Sequence, residues 1–441
     1  MINALWNHHS SWPNAIVHLD ADAFFAACEQ AIHPEYRGKP IITGGERGIA
    51  AALSYEAKRL GAKRGMSLAD IKRLIPNVII VPSDYETYSL YSKRMFAIMR
   101  RYTSQVEEYS IDEAFADITG LRRPLNMPYQ QIAKKMKDDI QRELDLTVSV
   151  GLAPTKVLAK AAANMHKPDC FEIISLKDID HKLKLMSVEE IWGVGPQTTE
   201  QMHKLGIQTA YDYKRQSENF IFQHFTKPHQ EIWLELHGHK VYEVVAEDKS
   251  TYYSISKTRT FTPASKDKKY VFAQLVKNIE NACIKARRHH LAGREIAIIL
   301  RSQEYNHYGV QAKLSRASNY PQEMLKVVND LFDHLFDAKK EYRLTGVVLA
   351  NLIPEDKIQR ALFEPPLQLE KMQQVYQAVD KLSERFGKHT VHLAASQEAH
   401  NKPAHQGGRA GLPDRKKIHF QGEQGRQRLG LPLLMGKVSE K

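Results

Sequence analysis

An α/β (α+β) multidomain fold is predicted by three features of the sequence. Short apolar, β-prone runs alternate with amphipathic helical stretches over the first 170 residues, the pattern of a sheet covered by helices. The character then shifts to short helical segments around Gly193-Val194-Gly195. Over 251–350 the order strand, helix, two strands, helix, strand marks a self-contained split-βαβ unit, with a four-stranded sheet and two helices on one face.

Composition sets the class. A chain of 441 residues suggests about two to four domains. Its 42% hydrophobic and 26% charged residues describe an ordinary protein with enough apolar material for real cores. The 63 Lys+Arg against 51 Asp+Glu give a net charge of +12, which favours a polyanionic partner. Cys28, Cys170 and Cys283 are far apart and lack metal-ligand spacing, so each reads as a small buried hydrophobe in a reducing, cytoplasmic setting. No basic segment followed by an apolar core opens the chain, and no apolar run reaches the roughly 18 residues of a membrane span. Neither a signal peptide nor a membrane partner is expected.

The first run, Ala15 to Leu19, reads as a buried strand that ends in Asp20-Ala21-Asp22-Ala23-Phe24-Phe25. Two acids at a core edge are costly unless something offsets their charge. Asp20 and Asp22 share one face if the strand stays extended, and Asp22 is also placed to cap the helix Phe24 to Ile32. A strand from Pro40 to Thr43 and a Gly44-Gly45 turn follow. The short helix Ser54 to Gly61 then carries Tyr55, Lys58 and Arg59, either as a triphosphate contact or as a solvated face.

Tyr88, Tyr91, Met95, Ile98 and Tyr102 recur at helical spacing and predict a buried stripe. Val106 to Ile118 reads as two strands joined at a turn that carries Asp112 and Glu113, a second acidic pair in an apolar setting. A helix over 129–145, a strand Thr147 to Leu152 and a helix Pro154 to Met165 complete the section, with Lys156 and Lys160 on the last helix and Lys167 just beyond it. The Gly193-Val194-Gly195 turn resembles a helix-hairpin-helix, whose backbone N–H groups can meet a phosphate. In the 251–350 unit, Val271, Leu275, Ile279 and Cys283 mark the buried stripe of the first helix. Arg259, Arg287, Arg301, Lys313 and Arg316 are among the polar positions that could run along a phosphate backbone. From 401 onward nine basic residues oppose three acidic ones, which reads as a mobile basic arm.

Carboxylates brought side by side from two strands repel unless a cation lies between them. With no Cys or His ligand foreseen nearby, the hard-oxygen set Asp20, Asp112 and Glu113 suits Mg²⁺, and two such ions about 3.5–4 Å apart serve in-line nucleotidyl transfer. A glycosidase pair needs similar residues, but nothing in a basic, helix-hairpin-helix chain favours sugar chemistry.

Asp20-Ala-Asp-Ala-Phe-Phe25 together with Ser110-Ile-Asp-Glu-Ala-Phe115 resembles the paired signature of the Y-family translesion DNA polymerases, of the bacterial polymerase IV and polymerase V catalytic-subunit type. The resemblance runs from about residue 14 to 395. It implies a right-hand polymerase: palm at 1–33 and 83–170, small fingers at 34–82, thumb at 171–245, little finger at 246–355, and a C-terminal clamp-binding segment with a basic tail at 356–441. It also implies that Asp20, Asp112 and Glu113 are the catalytic acids holding two Mg²⁺, joined by the Ala21 carbonyl, and that Phe25 is the steric gate against a ribose 2′-OH. Tyr55, Lys58 and Lys167 match nucleotide-binding positions, although relatives commonly carry Arg where Lys58 stands; Arg59 is a neighbouring substitute.

Gly193 and Gly195 match the thumb's DNA-binding hairpin, and Arg259, Arg301 and Lys313 fall in the DNA-tracking little finger. Gln359, Leu362 and Phe363 resemble a sliding-clamp peptide, Gln-x-x-Leu-Phe. Primer-template DNA, dNTPs and the clamp are the implied partners of a monomeric enzyme. Two other readings stand beside this one. A catalytically silent DNA-binding scaffold would not require the three acids, and a nucleotide cyclase would not require a duplex track.

Overall fold

The structure, a computed structural model, describes residues 12–45, 48–247, 252–358 and 366–401. The described residues divide into two compact units, one ending at Glu247 and the other spanning 252–401.

The first unit begins with strand β1 (Ile16–Ala21) and helix α1 (Phe24–Ile32). Next come β2 (Ile41–Thr43), β3 (Ala52–Leu53), α2 (Tyr55–Arg59), α3 (Leu68–Leu74) and β4 (Ile79–Val81). These form a three-stranded sheet, order β3-β2-β4, closed over its own small core of Ile42, Leu53, Ala57 and Ile71. Helix α4 (Tyr85–Met99), β5 (Val106–Glu108), β6 (Glu113–Asp117), α5 (Tyr129–Leu144), β7 (Val148–Ala153), α6 (Lys156–Asn164) and β8 (Phe171–Ile173) follow. The main sheet has the order β5-β6-β1-β7-β8, with β1 antiparallel to both of its neighbours.

Strand alternation sorts the two faces of this sheet. Val17, Leu19 and Ala21 point into a core shared with α1, α4 and α5, where Tyr88, Met95, Ile132, Met136 and Ile140 are buried. Each such buried side chain is worth about 1.5–3 kcal/mol, which outweighs the weak helix propensity of the tyrosines in α4. Ile16, His18 and Asp20 point to the opposite face, where Ile16 and Phe115 meet α6. Gly151 in β7 permits that contact, because a Cβ there would stand 2.0 Å from the Ala159 carbonyl oxygen of α6. Helices α7 (Ile179–Lys184), α8 (Pro196–Lys204), α9 (Ala210–Lys214), α10 (Glu218–His224) and α11 (Lys227–Leu236) continue the same apolar cluster. Buried Glu235 joins them to α6: one oxygen accepts from Val157 N at 3.1 Å, the other from Val241 N at 2.7 Å and Tyr242 N at 2.8 Å.

The second unit has the order foreseen for it. Its elements are β9 (Ser254–Ser265), α12 (Lys268–Arg288), β10 (Leu291–Ser302), β11 (His307–Ser318), α13 (Pro321–Leu335) and β12 (Tyr342–Pro354). The sheet runs β11-β10-β12-β9, every neighbour antiparallel, so both crossovers are split: β12 lies between β9 and β10, and β10 between β11 and β12. Helix α14 (Pro366–Phe386) and a short α15 (Gln397–Asn401) are added to it. Arg287, read from sequence as a polar-surface cation, is instead half-buried: its guanidinium grips Asp380 of α14 at 2.7 and 2.8 Å. Arg316 is likewise committed to Glu323. All three cysteines are buried and unbridged, and no helix among the described residues is long and apolar enough to cross a membrane.

Candidate active site

Pairing of β1 with β6 sets Asp20 opposite Glu113, residues 93 positions apart in the chain. Ala21 N donates to the Asp112 carbonyl at 2.8 Å, so the second acidic pair is locked to the end of β1. Asp112 sits in the turn, its Oδ1 accepting from Ser110 Oγ at 2.5 Å. Glu113 does not share that turn as expected; it is the first residue of β6, because Tyr109 and Ser110 N–H groups close on its carbonyl at 3.0 Å.

Two lysines and a neutral histidine face the acids. Lys167 Nζ lies 2.6 Å from Asp20 Oδ1, Lys160 Nζ 2.5 Å from Glu113 Oε1, and His18 Nε2 donates to the same Glu113 oxygen at 2.6 Å. Burial pushes the Asp20 carboxyl up against the pull of Lys167, and the nearby Asp112 and Glu113 add to the rise. Burial acts on Glu113 in the same sense, but hydrogen bonds from His18 and Lys160 outweigh it and hold that carboxyl below its ordinary range. His18, fully buried, is pushed down and stays neutral near pH 7. Donor atoms of His18, Asp20 and Glu113 lie within 4.8 Å of one another. The oxygen-rich set, with carboxylates that repel each other, fits hard divalent cations such as Mg²⁺.

Asp22 is not the helix cap. The cap position of α1 is Ala23, in a left-handed conformation at φ 50°, without a side-chain hydrogen bond. Asp22 is 2% exposed and its two oxygens accept from Ser149 Oγ and from Asp169 N, each at 2.8 Å. It therefore anchors the loop that carries Lys167.

Phe25, in the first turn of α1, stacks on buried Tyr88 at 4.4 Å and 16°, and meets the edge of Tyr85 at 5.3 Å. A ring braced on two sides keeps its position at low entropic cost. Tyr55 opens α2, with Lys58 Nζ 4.2 Å above its ring. Burial, then the Asp22 and Asp20 carboxylates, push the Tyr55 hydroxyl up to about 12. Arg59 is exposed and turns back, its Nε donating to the Tyr55 carbonyl at 3.4 Å.

Gly193 and Gly195 are exposed on either side of buried Val194. The helix before them is a single 3₁₀ turn, Val188–Glu190, rather than an α-helix. Gly193 has φ +93°, and a Cβ there would stand 2.7 Å from Ile232 Cδ1. Trp192 ties this turn to the sheet through Phe115 at 5.6 Å and Tyr109 at 5.4 Å. Lys160 lies 5.3 Å from the Tyr109 ring centroid.

In the second unit the three predicted DNA contacts divide between faces. Arg301 and Lys313 lie on the open sheet face with Ala297 and Gln311. Arg259 pairs with Thr345, whose oxygens accept from Asn278 of α12, and so it projects on the helix-bearing side. Gln359, Leu362 and Phe363 lie outside the described residues.

Sequence reasoning passed over His18 and gave Lys160 no role. The signal for His18 was strand parity, since it is two residues before Asp20 on one face. Lys160 becomes recognisable only once α6 is placed over β7.

A lysine-flanked carboxylate corner at the end of a mostly antiparallel sheet, joined to a Gly-Val-Gly turn among short helices, defines a class, the metal-assisted nucleotidyltransferases of the polymerase kind. Residues 19–164 match the impB/mucB/samB family, and residues 253–362 match the impB/mucB/samB family C-terminal domain. A DNA polymerase IV of Moorella thermoacetica is 30% identical over 387 residues, 87% of this chain and 96% of the relative. A DNA polymerase IV of Desulfatibacillum aliphaticivorans is 28% identical over 385 residues, again 87% and 96%. Among solved structures, a Y-family DNA polymerase chimera, Dbh-Dpo4(243-245)-Dbh, superposes with a TM-score of 0.67 at 27% identity, covering 77% of this chain and 99% of the other. The chain belongs to the impB/mucB/samB family, the Y-family translesion DNA polymerases, and is a DNA-directed DNA polymerase.

Proposed function

We propose that this chain adds deoxynucleotides from dNTPs to a primer 3′-OH opposite damaged template bases, with Asp20, Asp112 and Glu113 as the catalytic acids. The observation that carries the reading is the register of β1 on β6, which sets Asp20 against Glu113 and ties Ala21 to Asp112 at one sheet end. These acids, with the Ala21 carbonyl, would hold two Mg²⁺, which when bound lower the pKa of the attacking hydroxyl and offset charge on the leaving pyrophosphate. Lys167, Tyr55 and Lys58 lie on the side of Asp20 and Asp22, where they can meet triphosphate oxygens. Asp22 positions Lys167 through the Asp169 amide. Phe25, braced by Tyr88, would stand against a ribose 2′-OH.

Gly193, Gly195, Arg301 and Lys313 are proposed contacts to the DNA backbone; Arg259, on the helix-bearing side of the sheet, is left out of that set. Gln359, Leu362 and Phe363 are proposed to engage a sliding clamp, on their sequence pattern alone. The enzyme is proposed to act as a cytoplasmic monomer. Asp112→Ala should abolish primer extension in Mg²⁺ while leaving DNA binding within about threefold. Extension at the wild-type rate in that variant would overturn the catalytic assignment and favour a binding scaffold.

A further inference from the structure

A second convergence of donor atoms lies in the 252–401 unit, on α12 and the segment after α14. Glu280 of α12 is 5% exposed. After α14 the chain turns at Gly387 and passes back over α12, bringing His389, His392 and His400 beside that carboxylate. Glu280 Oε1 accepts from Leu393 N at 2.6 Å, so one oxygen is committed to the returning backbone. Lys277 Nζ, on the same face of α12, donates to the Ala399 carbonyl at 3.1 Å and also holds the segment.

The remaining polar atoms are unsatisfied. Glu280 Oε2 and His400 Nε2 are both buried without a hydrogen-bond partner. His389 Nδ1 stands 3.5 Å from Glu280 Oε2, and the His389 and His400 rings are 4.8 Å apart. Ligand atoms of Glu280, His389 and His400 all lie within 4.8 Å of one another. His392 is already engaged, with Nε2 on Gln397 Oε1 at 2.8 Å. Leaving two buried polar atoms unpaired costs about 1–3 kcal/mol each. A proton shared between His389 and Glu280 satisfies only that pair and leaves His400 Nε2 orphaned. A single cation at the centre satisfies all three.

We propose that Glu280, His389 and His400 form a binding site for a divalent transition metal, with Zn²⁺ the fitting ion, that pins the segment after α14 onto α12. Two imidazoles and a carboxylate are a Zn²⁺ ligand set that leaves a fourth position open to water. Tetrahedral bonds of about 2.1 Å require ligand atoms about 3.4 Å apart, and the Glu280–His389 pair already stands at 3.5 Å. Two nitrogen donors out of three separate this site from the carboxylate-rich corner at Asp20 and turn it away from Mg²⁺.

The site is independent of the proposed polymerase chemistry, and so is its test. The full-length chain, stripped with chelator, is titrated with Co²⁺ and followed by visible absorption, then with Zn²⁺ as competitor. One equivalent of Co²⁺ should give the intense band of a low-coordinate nitrogen-bearing site, bleached by Zn²⁺. His389→Gln and His400→Gln should each weaken binding at least tenfold. Primer extension in Mg²⁺ should persist in both variants, which shows that they remain folded. Absence of the band, or a band of wild-type affinity in both variants, would overturn the proposal and mark the metal as adventitious at surface histidines.

Discussion

Gly151→Ala tests whether the seat of α6 on the sheet sets the active site. The new Cβ would stand 2.0 Å from the Ala159 carbonyl oxygen, 2.5 Å from Ala163 N and 2.8 Å from Ala162 Cβ. The first two are backbone atoms of a helix, which no side-chain rotation can relieve. Restoring ordinary contact at about 3.4 Å requires α6 to retreat by about 1.4 Å. Overpacking of this kind costs about 3 kcal/mol, the upper end of its usual range, because main chain rather than side chain must yield. For a unit of this size that lowers Tm by about 6–12 °C. The retreat also draws Lys160 off Glu113, now 2.5 Å away, and a displacement near 1 Å at a reacting centre costs about 100-fold in rate. Thermal melts and single-nucleotide primer extension measure the two effects. Gly309→Ala is the control: its Cβ would meet the Ile298 carbonyl at 3.5 Å, an ordinary contact, and should change little. A Gly151→Ala protein with the melting temperature and extension rate of wild type would refute the argument.

Three further outcomes follow from the same geometry. Phe25→Ala should raise ribonucleotide incorporation about tenfold or more relative to dNTPs, about 1.4 kcal/mol of lost discrimination; unchanged sugar selection removes the gate role. Asp22→Ala deprives Ser149 Oγ and Asp169 N of their acceptor, so stability should fall by about 2 kcal/mol. The KM for dNTP should rise as Lys167 loses its anchored loop, and an unchanged KM would count against the positioning role. Glu108 gives a pH signature. Burial alone would raise its carboxyl, but Lys93 at 2.5 Å and Arg100 at 2.8 Å hold it below the ordinary range. Its contribution is therefore full above a pH of about 4.3 and is lost as pH falls through the lower folded value. The melting-temperature gap between wild type and Glu108→Gln should hold steady above about pH 4.3 and narrow as pH falls below it; a constant gap at lower pH would dissociate the carboxylate from acid stability.

Much of this was legible in the chain because it depends on local periodicity. Tyr88, Tyr91, Met95 and Ile98 of the stripe are buried as their spacing predicts, while Tyr102 lies beyond the end of α4 and is half-buried, and α1 ends before Pro34, where a helix must stop. The order of elements in the second unit followed from alternating strand and helix periods. What escaped were decisions made by contacts far apart in sequence. The capping reading of Asp22 failed because Ser149 and Asp169, supplied by another strand and its loop, outbid the helix end. Arg287 was read as surface because no pattern within α12 announces Asp380, 93 residues later. Arg259 was grouped with Arg301 because sheet face depends on register, which a strand's own residues do not state.

The sequence by itself determined the fold class and marked the three acids and the bulky Phe25 as candidates, since residue type and short-range spacing are sufficient for that. Tertiary structure alone decided that Asp20 faces Glu113, that His18 and Lys160 share one carboxylate oxygen, and that two distant histidines meet Glu280. The physical reason is common to all three. Charge, desolvation and ligand geometry act over a few ångströms, and only strand register and helix seating bring residues from distant parts of the chain within that range.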